Sequence, residues 1–305
     1  APIIVGFYDT EGRASGVSVS NGYAYVADGD AGLQILNIAV PSAITRAGVF
    51  DTAGVAWRVS FGVIGSRKYA FLAENVAMRV IDVTVPSVPF EVASVAAQSA
   101  SGIQDVLLVG TKLYVSDWGA GVSIFNATNP SNLVLTGTAG NAGGASIDVA
   151  SNRLFMCDGF FQITDVSTST PNDLGDFLAG SFCDDIKVSA TLAFLAMDDE
   201  GLVVLRVSNP ASISQRSKIQ AMGALSVQLR SGYALVGDGL GVHSVNVLNP
   251  ASPVRVSSLL GESAEDIAIA TNGITTLVNM GGSSVRIANA SNPSALTHVG
   301  IYSNF

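Results

Sequence analysis

Short runs of alternating apolar and polar residues recur along the chain and predict β-strands. In the first 51 residues they place strands at about 16–20, 23–28, 33–38 and 46–51. Clusters of Gly, Asp, Asn and Pro separate the runs, as turns require. No segment of about 10 residues has the apolar spacing of an amphipathic helix. The pattern therefore predicts an all-β chain.

Two landmarks repeat along the chain at intervals of about 42 residues. One is a polar residue that ends a strand shortly before a proline; it occurs at Asn37, Asp82, Asn126, Asp165, Arg206, Asn246 and Asn289. The other is an acid that closes the preceding apolar strand; it occurs at Asp28, Glu74, Asp117, Asp158, Asp198 and Asp238. A four-stranded unit of this length is typical of a propeller blade. We therefore expect an all-β, seven-bladed β-propeller with four-stranded antiparallel blades, forming one domain over residues 1–305.

The repeated segments resemble a known family. The stretch YVADGDAGLQILNI, the later MRVIDV and the recurring NPS are similar to the LVIVD repeat of bacterial and archaeal surface proteins. The resemblance extends over the whole chain. It implies a propeller fold and a secreted or cell-surface setting, and it implies no catalytic residues.

The two chain ends both resemble the outermost strand of a blade. Tyr8 precedes Val17 by nine residues, as Phe50 precedes Val59, and a further copy lies at 296–302. This spacing predicts that 3–9 is the outer strand of the last blade, so that pairing of the N- and C-terminal strands closes the ring. One of the two segments, 3–9 or 296–302, is then surplus and allows self-association, because an unpaired edge strand can pair with another chain.

Composition and charge limit the classes of partner that the protein is expected to bind and the compartment in which it is expected to occur. The 305 residues carry a net charge of -9, although only 13% are charged. Nucleic acid and anionic membrane surfaces are disfavoured as partners because both need a basic patch. No apolar run is long enough for a membrane helix, so we expect no membrane insertion. The start APIIVGFYDT resembles a mature secreted protein, which favours an extracellular, cell-surface or periplasmic location.

Candidate ligand-binding residues cluster where the first strands of the repeats begin, at the expected mouth of the central channel. They are Arg13, Trp57, Arg58, Gln104, Asp105, Asp184, Asp185, Glu262, Glu265 and Asp266. Trp57 would stack on a ligand, and the acids would bind hydroxyl groups or a cation. Polar residues at a wet channel mouth are the simpler interpretation. In a regular strand the adjacent Asp184 and Asp185 would point to opposite faces.

Metal and catalytic motifs are weak in this sequence. No complete calcium loop occurs, so calcium is only an alternative and no cofactor is expected. His243 and His298 lie away from the expected channel, which disfavours a Ser-His-Asp mechanism. Cys157 and Cys183 map to the same face of neighbouring blades, where either a disulfide or two buried thiols fit.

Three functions remain open at this stage. The first is a non-enzymatic module that binds a protein, glycan or matrix ligand through one face of the ring. The second is a carboxylate-based hydrolase or lyase, with or without a divalent cation at the mouth. The third is a structural subunit of a surface assembly.

Overall fold

The computed structural model describes residues 4–140, 144–220, 223–261, 263–270, 275–280, 282–290 and 292–296. Strands account for nearly all the regular structure. Two single-turn 3-10 helices, Pro210–Ser212 and Pro293–Ala295, are the only helical segments in these ranges. None of the helical structure described could span a lipid bilayer.

The strands form four-stranded antiparallel sheets. The first strand is β1 (Ile4–Asp9). Blade 1 follows with β2 (Gly16–Ser20), β3 (Tyr23–Ala27), β4 (Leu33–Asn37) and β5 (Thr45–Phe50). Blade 2 has β6 (Ala56–Ile64), β7 (Arg67–Glu74), β8 (Ala77–Asp82) and β9 (Phe90–Ala96). Blade 3 has β10 (Ile103–Val109), β11 (Lys112–Asp117), β12 (Gly121–Asn126) and β13 (Val134–Ala139).

The second half of the chain repeats this arrangement. Blade 4 has β14 (Ser146–Ala150), β15 (Arg153–Asp158), β16 (Phe160–Asp165) and β17 (Asn172–Leu178). Blade 5 has β18 (Cys183–Ser189), β19 (Leu192–Met197), β20 (Gly201–Arg206) and β21 (Ser214–Ile219). Blade 6 has β22 (Ala224–Arg230), β23 (Tyr233–Asp238), β24 (Gly241–Asn246) and β25 (Val254–Leu260). The last three strands are β26 (Asp266–Ile269), β27 (Thr275–Met280) and β28 (Ser284–Asn289).

The first strand of blades 1 to 6 is the innermost, as is β26 in the last sheet, and these inner strands surround a central channel. Each inner strand contacts the next in the order β2, β6, β10, β14, β18, β22 and β26, and β26 contacts β2 again. The expected all-β propeller with four-stranded antiparallel blades is therefore confirmed. We call the end of the ring where the inner strands begin and the second strands end the mouth face. The opposite end is the far face.

The expectation of a seven-bladed propeller was wrong in its count. Within the described residues, six blades, from β2–β5 to β22–β25, consist of four consecutive strands. The remaining sheet is a composite in which β26, β27 and β28 are completed by β1. Tyr8 of β1 lies opposite Val285 of β28. A sheet position admits one strand, so the N-terminal segment fills the outer place; the competing copy at 296–302 lies outside the described residues except for Leu296.

Apolar side chains fill the spaces between neighbouring blades. Between blades 4 and 5, for example, Phe155 and Phe161 pack with Leu195 and Met197. The middle strands are covered on both faces by adjacent blades, so they are buried almost continuously, whereas the outer strand β21 has no buried residue. Strands covered on both faces thus account for much of the hydrophobic content of the chain, which is 48% of its residues.

Candidate functional site

β-Bulges interrupt four of the inner strands close to the mouth face. The register shifts by one residue between Ala56 and Arg58, and the same shift occurs in β10, β18 and β22. The extra residues are Trp57, Gln104, Asp184 and Leu225, and each is partly exposed. A bulge re-aims the side chain of its extra residue. Asp184 and Asp185 are therefore not constrained by the strict alternation of a regular strand.

Asp185 is buried and joins three blades. Its carboxylate accepts hydrogen bonds from the backbone N–H of Ile186 at 2.8 Å and of Val227 in blade 6 at 2.9 Å. The Ser146 hydroxyl of blade 4 donates to it at 3.2 Å, and the Lys187 ammonium lies 3.1 Å away. The Asp185 carboxylate therefore has four hydrogen-bond partners within the protein.

The same kind of bond recurs at the other junctions between inner strands. In each case a side-chain oxygen of one inner strand accepts the backbone N–H of the next. The pairs are Ser18–Phe61, Ser60–Leu108, Asp105–Ile147, Asp148–Val188 and Asp266–Val17. Between blade 6 and the composite blade, the Ser226 hydroxyl instead donates to the Ala264 carbonyl at 3.1 Å. We call these contacts, together with that of Asp185, the inter-blade belt.

Arg58 spans the channel mouth. One Nη donates to the Ser15 carbonyl at 3.1 Å and lies 3.6 Å from the Asp266 carboxylate. The other Nη reaches the backbone carbonyl of Asp184, on the opposite side of the ring, at 3.4 Å. Burial disfavours the charge, but Asp266 and the neighbouring acids outweigh this effect, so the pKa of Arg58 is raised. Gly16, the equivalent residue in blade 1, leaves space for this arrangement because a Cβ there would lie 2.8 Å from the Arg58 Cα.

Two carboxyls at the mouth ionise less readily than ordinary aspartates. Burial raises the pKa of Asp105 to about 6, although Arg58 and the Ile147 N–H act in the opposite direction. Burial and repulsion from Asp198 raise the pKa of Asp184 to about 6. Lys187 stays cationic because Asp185 and nearby acids raise its pKa despite burial.

The acids that close the second strands hold the mouth-face loops. Asp117 accepts the backbone N–H groups of Gln98 at 2.6 Å and Ser99 at 3.1 Å. Asp28 accepts the N–H of Gly12 at 2.9 Å in the corresponding loop of blade 1. In both blades the acid thus ties the loop before the inner strand to the end of the second strand.

A Ser-His-Asp chain of hydrogen bonds, which the sequence did not suggest, lies within blade 6. His243 contacts Asp238 at 2.7 Å through Nε2 and Ser258 at 2.8 Å through Nδ1. His243 is only 2% exposed, and the same Asp238 carboxylate accepts the N–H groups of Leu240 and Gly241. The chain of bonds therefore fixes the β23–β24 turn.

Two other predicted residues meet beside the composite blade. Arg13 pairs with Glu265 at 2.6 Å, and both line an open cavity of about 760 Å³ between blade 1 and the composite blade. Gln104 donates to the nearby Ser101 carbonyl at 2.8 Å. Glu262 and His298 lie outside the described residues. Within the described part of the chain, no three acidic, His or Cys side chains are grouped as metal ligands.

Cys157 and Cys183 form a disulfide. It joins β15 of blade 4 to β18 of blade 5, and both residues are fully buried. Cys183 lies between Phe182 and Asp184 in the chain. The disulfide therefore anchors a mouth-face segment that carries an exposed aromatic ring and a carboxylate.

Exposed apolar side chains gather on the mouth face of blades 3 to 6. Trp118 and Phe182 are 37% and 60% exposed, and their rings pack edge to face with centroids 6.2 Å apart. Because they belong to blades 3 and 5, the pair bridges across blade 4. Phe160 and its cross-strand partner Leu178 are exposed on blade 4, and Leu240 on blade 6. We call these five residues the mouth patch; sequence reasoning missed them because they lie in turns and strand ends.

Comparison with protein families identifies the repeats. The family model described as LVIVD repeat matches residues 11–52, 53–97, 102–139 and 180–218, which is more than half of the chain. The chain belongs to the LVIVD repeat family. The resemblance seen in the sequence is thereby confirmed. No curated protein matches this LVIVD repeat protein.

The fold of the LVIVD repeat protein is shared with many solved structures. One is a chain in "Crystal Structure of Mitotic Checkpoint Complex", with a TM-score of 0.77 and 10% sequence identity, where the match covers 95% of this chain and 92% of that one. At this identity the similarity concerns the fold alone. Because 1490 solved chains match, the fold does not distinguish among functions.

The raised pKa of Asp184 predicts how stability of the LVIVD repeat protein varies with pH. An unfolded aspartate has a pKa of about 4, and the folded one is about 6. The folded state therefore binds the proton more tightly, so ionisation of Asp184 lowers stability as pH rises through this window. We expect Asp184→Asn to be more stable than wild type at pH 7, by about 1 kcal/mol after allowance for solvent screening.

This expectation is checked by urea unfolding at pH 4.5 and pH 7. The gain should shrink at the lower pH, where wild-type Asp184 is protonated. Asp51→Asn, at an exposed carboxyl in another mouth-face loop, is the control. An equal offset at both pH values, or a loss of stability at pH 7, contradicts the assignment.

Proposed function

We propose that this LVIVD repeat protein is a secreted or cell-surface binding module that holds a protein, glycan or matrix ligand on its mouth face. The mouth patch is the observation that carries this proposal. Large exposed apolar side chains grouped on one face of a protein mark interaction sites. Three of the aromatic side chains exposed by more than a third, Trp118, Phe160 and Phe182, lie in this patch.

The organisation of the channel also favours binding over catalysis. Asp105, Asp185 and Asp266 are engaged by backbone N–H groups of the next blade. Acids that hold the ring together are poorly suited to exchange protons with a substrate. The carboxylate-enzyme alternative is left with Asp184, which lies beside the mouth patch.

The disulfide supports the proposed location. Disulfides persist in secreted, periplasmic and cell-surface proteins and are rare in reducing compartments. Cys157 and Cys183 are the only cysteines of the chain, and they are paired.

A screen with a patch variant tests the proposal. Wild-type protein is applied to an oligosaccharide array and to immobilised collagen and fibronectin, beside the variant Trp118→Ser/Phe160→Ser/Phe182→Ser. We expect at least one wild-type interaction, weakened about tenfold or more in the variant, since aromatic anchors dominate binding energy. Phe90→Ser, at an exposed ring on the far face, should bind like wild type. Loss of binding in Phe90→Ser, with the patch variant unaffected, would place the ligand elsewhere.

A further inference from the structure

We infer that the ligand of the mouth face is a protein segment in which arginine or lysine alternates with apolar residues. An apolar side chain would pack on the Trp118–Phe182 pair, and the adjacent basic side chain would pair with Asp184. This inference rests on the proposed function and specifies its partner.

Acidic residues predominate on the mouth face, whereas the far face carries both signs of charge. Carboxylates that end second strands or lie in mouth-face loops include Glu11, Asp30, Asp51, Asp158, Asp184, Asp198, Asp199 and Glu200. Basic residues lie at the far-face ends of strands, at Arg67, Lys68, Lys112, Arg153, Arg206, Arg230 and Arg255. They are partly compensated there by Asp82, Asp165 and Asp173. The mouth face therefore attracts cationic partners and repels anionic ones.

The few cations on the mouth face are already paired. Arg13 contacts Glu265, Lys218 contacts Glu200, and Arg58 lies closest to Asp266. They compensate carboxylates beside the composite blade, on β20–β21 and inside the channel. The hydrogen bond that Arg58 makes with Asp184 is to its backbone carbonyl, although the Arg58 charge also acts to lower the pKa of Asp184.

Asp184 is the mouth acid best placed for a cation from a partner. The bulge in β18 takes it out of register, and it is partly exposed. The Asp198 carboxylate is near enough to repel it. An added cation would relieve this repulsion, whereas a neutral ligand would leave it in place.

The aromatic pair lies next to this acid. Phe182 is two residues before Asp184, and Trp118 packs against Phe182. Exposed rings offer an apolar anchor, and their faces also attract guanidinium groups. A partner that supplies both an apolar and a basic side chain satisfies the patch and the acid together. A neutral glycan would stack on the rings but would not neutralise the Asp184 carboxylate.

Matched peptides test the inference. The probes are fluorescent Gly-Leu-Arg-Leu-Arg-Leu-Gly and the same peptide with both arginines replaced by citrulline, which keeps the shape and removes the charge. We expect the arginine peptide to bind about tenfold tighter, a gap that corresponds to about 1.4 kcal/mol. Asp184→Asn should reduce the gap to about threefold or less. Trp118→Ala should weaken both peptides, and Phe90→Ala should weaken neither.

The remaining outcomes overturn the inference in distinguishable ways. Equal affinity for the two peptides, or arginine-peptide binding unaffected by Asp184→Asn and Trp118→Ala, rules out the assigned contacts. An array glycan bound through the mouth patch, with no peptide binding, refutes the inference and leaves the proposed function intact. If neither class binds, both proposals fail. Sedimentation that shows self-assembly abolished by Trp118→Ala would make a second copy of the chain the occupant.

Discussion

Replacing Asp185 by alanine is expected to lower the free energy of unfolding by about 3–5 kcal/mol, the usual range for breaking a buried ion pair. The carboxylate is 5% exposed and accepts bonds from Ile186, Val227, Ser146 and Lys187. Its removal leaves the Val227 N–H without its acceptor in the neighbouring blade and leaves the Lys187 ammonium without its nearest counter-ion. Equilibrium unfolding in urea at pH 7 measures the loss.

The adjacent residue supplies a matched control. Asp184 has the same side chain, but the bulge leaves it partly exposed and outside the inter-blade belt. Asp184→Ala is therefore expected to change the free energy of unfolding by less than about 1 kcal/mol, toward greater stability if anything. Equal losses in the two variants would show that the inter-blade belt is not what distinguishes these positions.

The repeat pattern was sufficient to predict four-stranded antiparallel blades, although not their number. Because six of the blades use consecutive strands, local alternation and the recurring Asp and Pro turns determine their structure. The role of β1 was also readable, since the spacing from Tyr8 to Val17 repeats that from Phe50 to Val59. The count of seven blades was what needed correction, because only six blades in the described residues consist of four consecutive strands.

The sequence predicted which polar residues lie at the channel mouth, but it did not predict how their contacts are arranged. The sequence grouped Arg58, Asp105, Asp184 and Asp185 at the mouth without separating belt residues from exposed ones. That separation depends on β-bulges, which shift the register by one residue and leave little trace in a hydropathy pattern. The bond from the Val227 N–H to the Asp185 carboxylate joins residues 42 apart in the chain. It depends on how two neighbouring blades pack, which a local sequence pattern does not show.

The contact between Trp118 and Phe182 could not be predicted from the sequence either. Trp118 follows an acid in a turn, and Phe182 precedes a cysteine in a loop, so neither takes part in the alternation that identifies strands. Their contact requires blades 3 and 5 to converge over blade 4. An aromatic residue in a turn, away from any strand pattern, was the one local signal available.

The disulfide provides the second large effect. Cys157→Ala/Cys183→Ala is expected to lose about 3 kcal/mol of stability, because the bond closes a loop across a separation of 26 residues and restricts the unfolded chain. Loss should also be local: amide exchange should accelerate most in β15 and β18, which the bond joins, and least in β3 and β6 of blades 1 and 2.

Reductant gives the control for this prediction. Wild-type protein unfolded and refolded with reductant should match the double variant in urea, while the variant itself should be insensitive to reductant. In the double variant, blades 4 and 5 would still be joined by the bond from the Val188 N–H to the Asp148 carboxylate at 2.7 Å. The ring should therefore remain folded at 25 °C. Identical unfolding curves for oxidised wild type and variant would contradict a stabilising role. Faster exchange throughout the ring would instead show that the blades unfold as one unit, so that the junction between blades 4 and 5 has no separate stability.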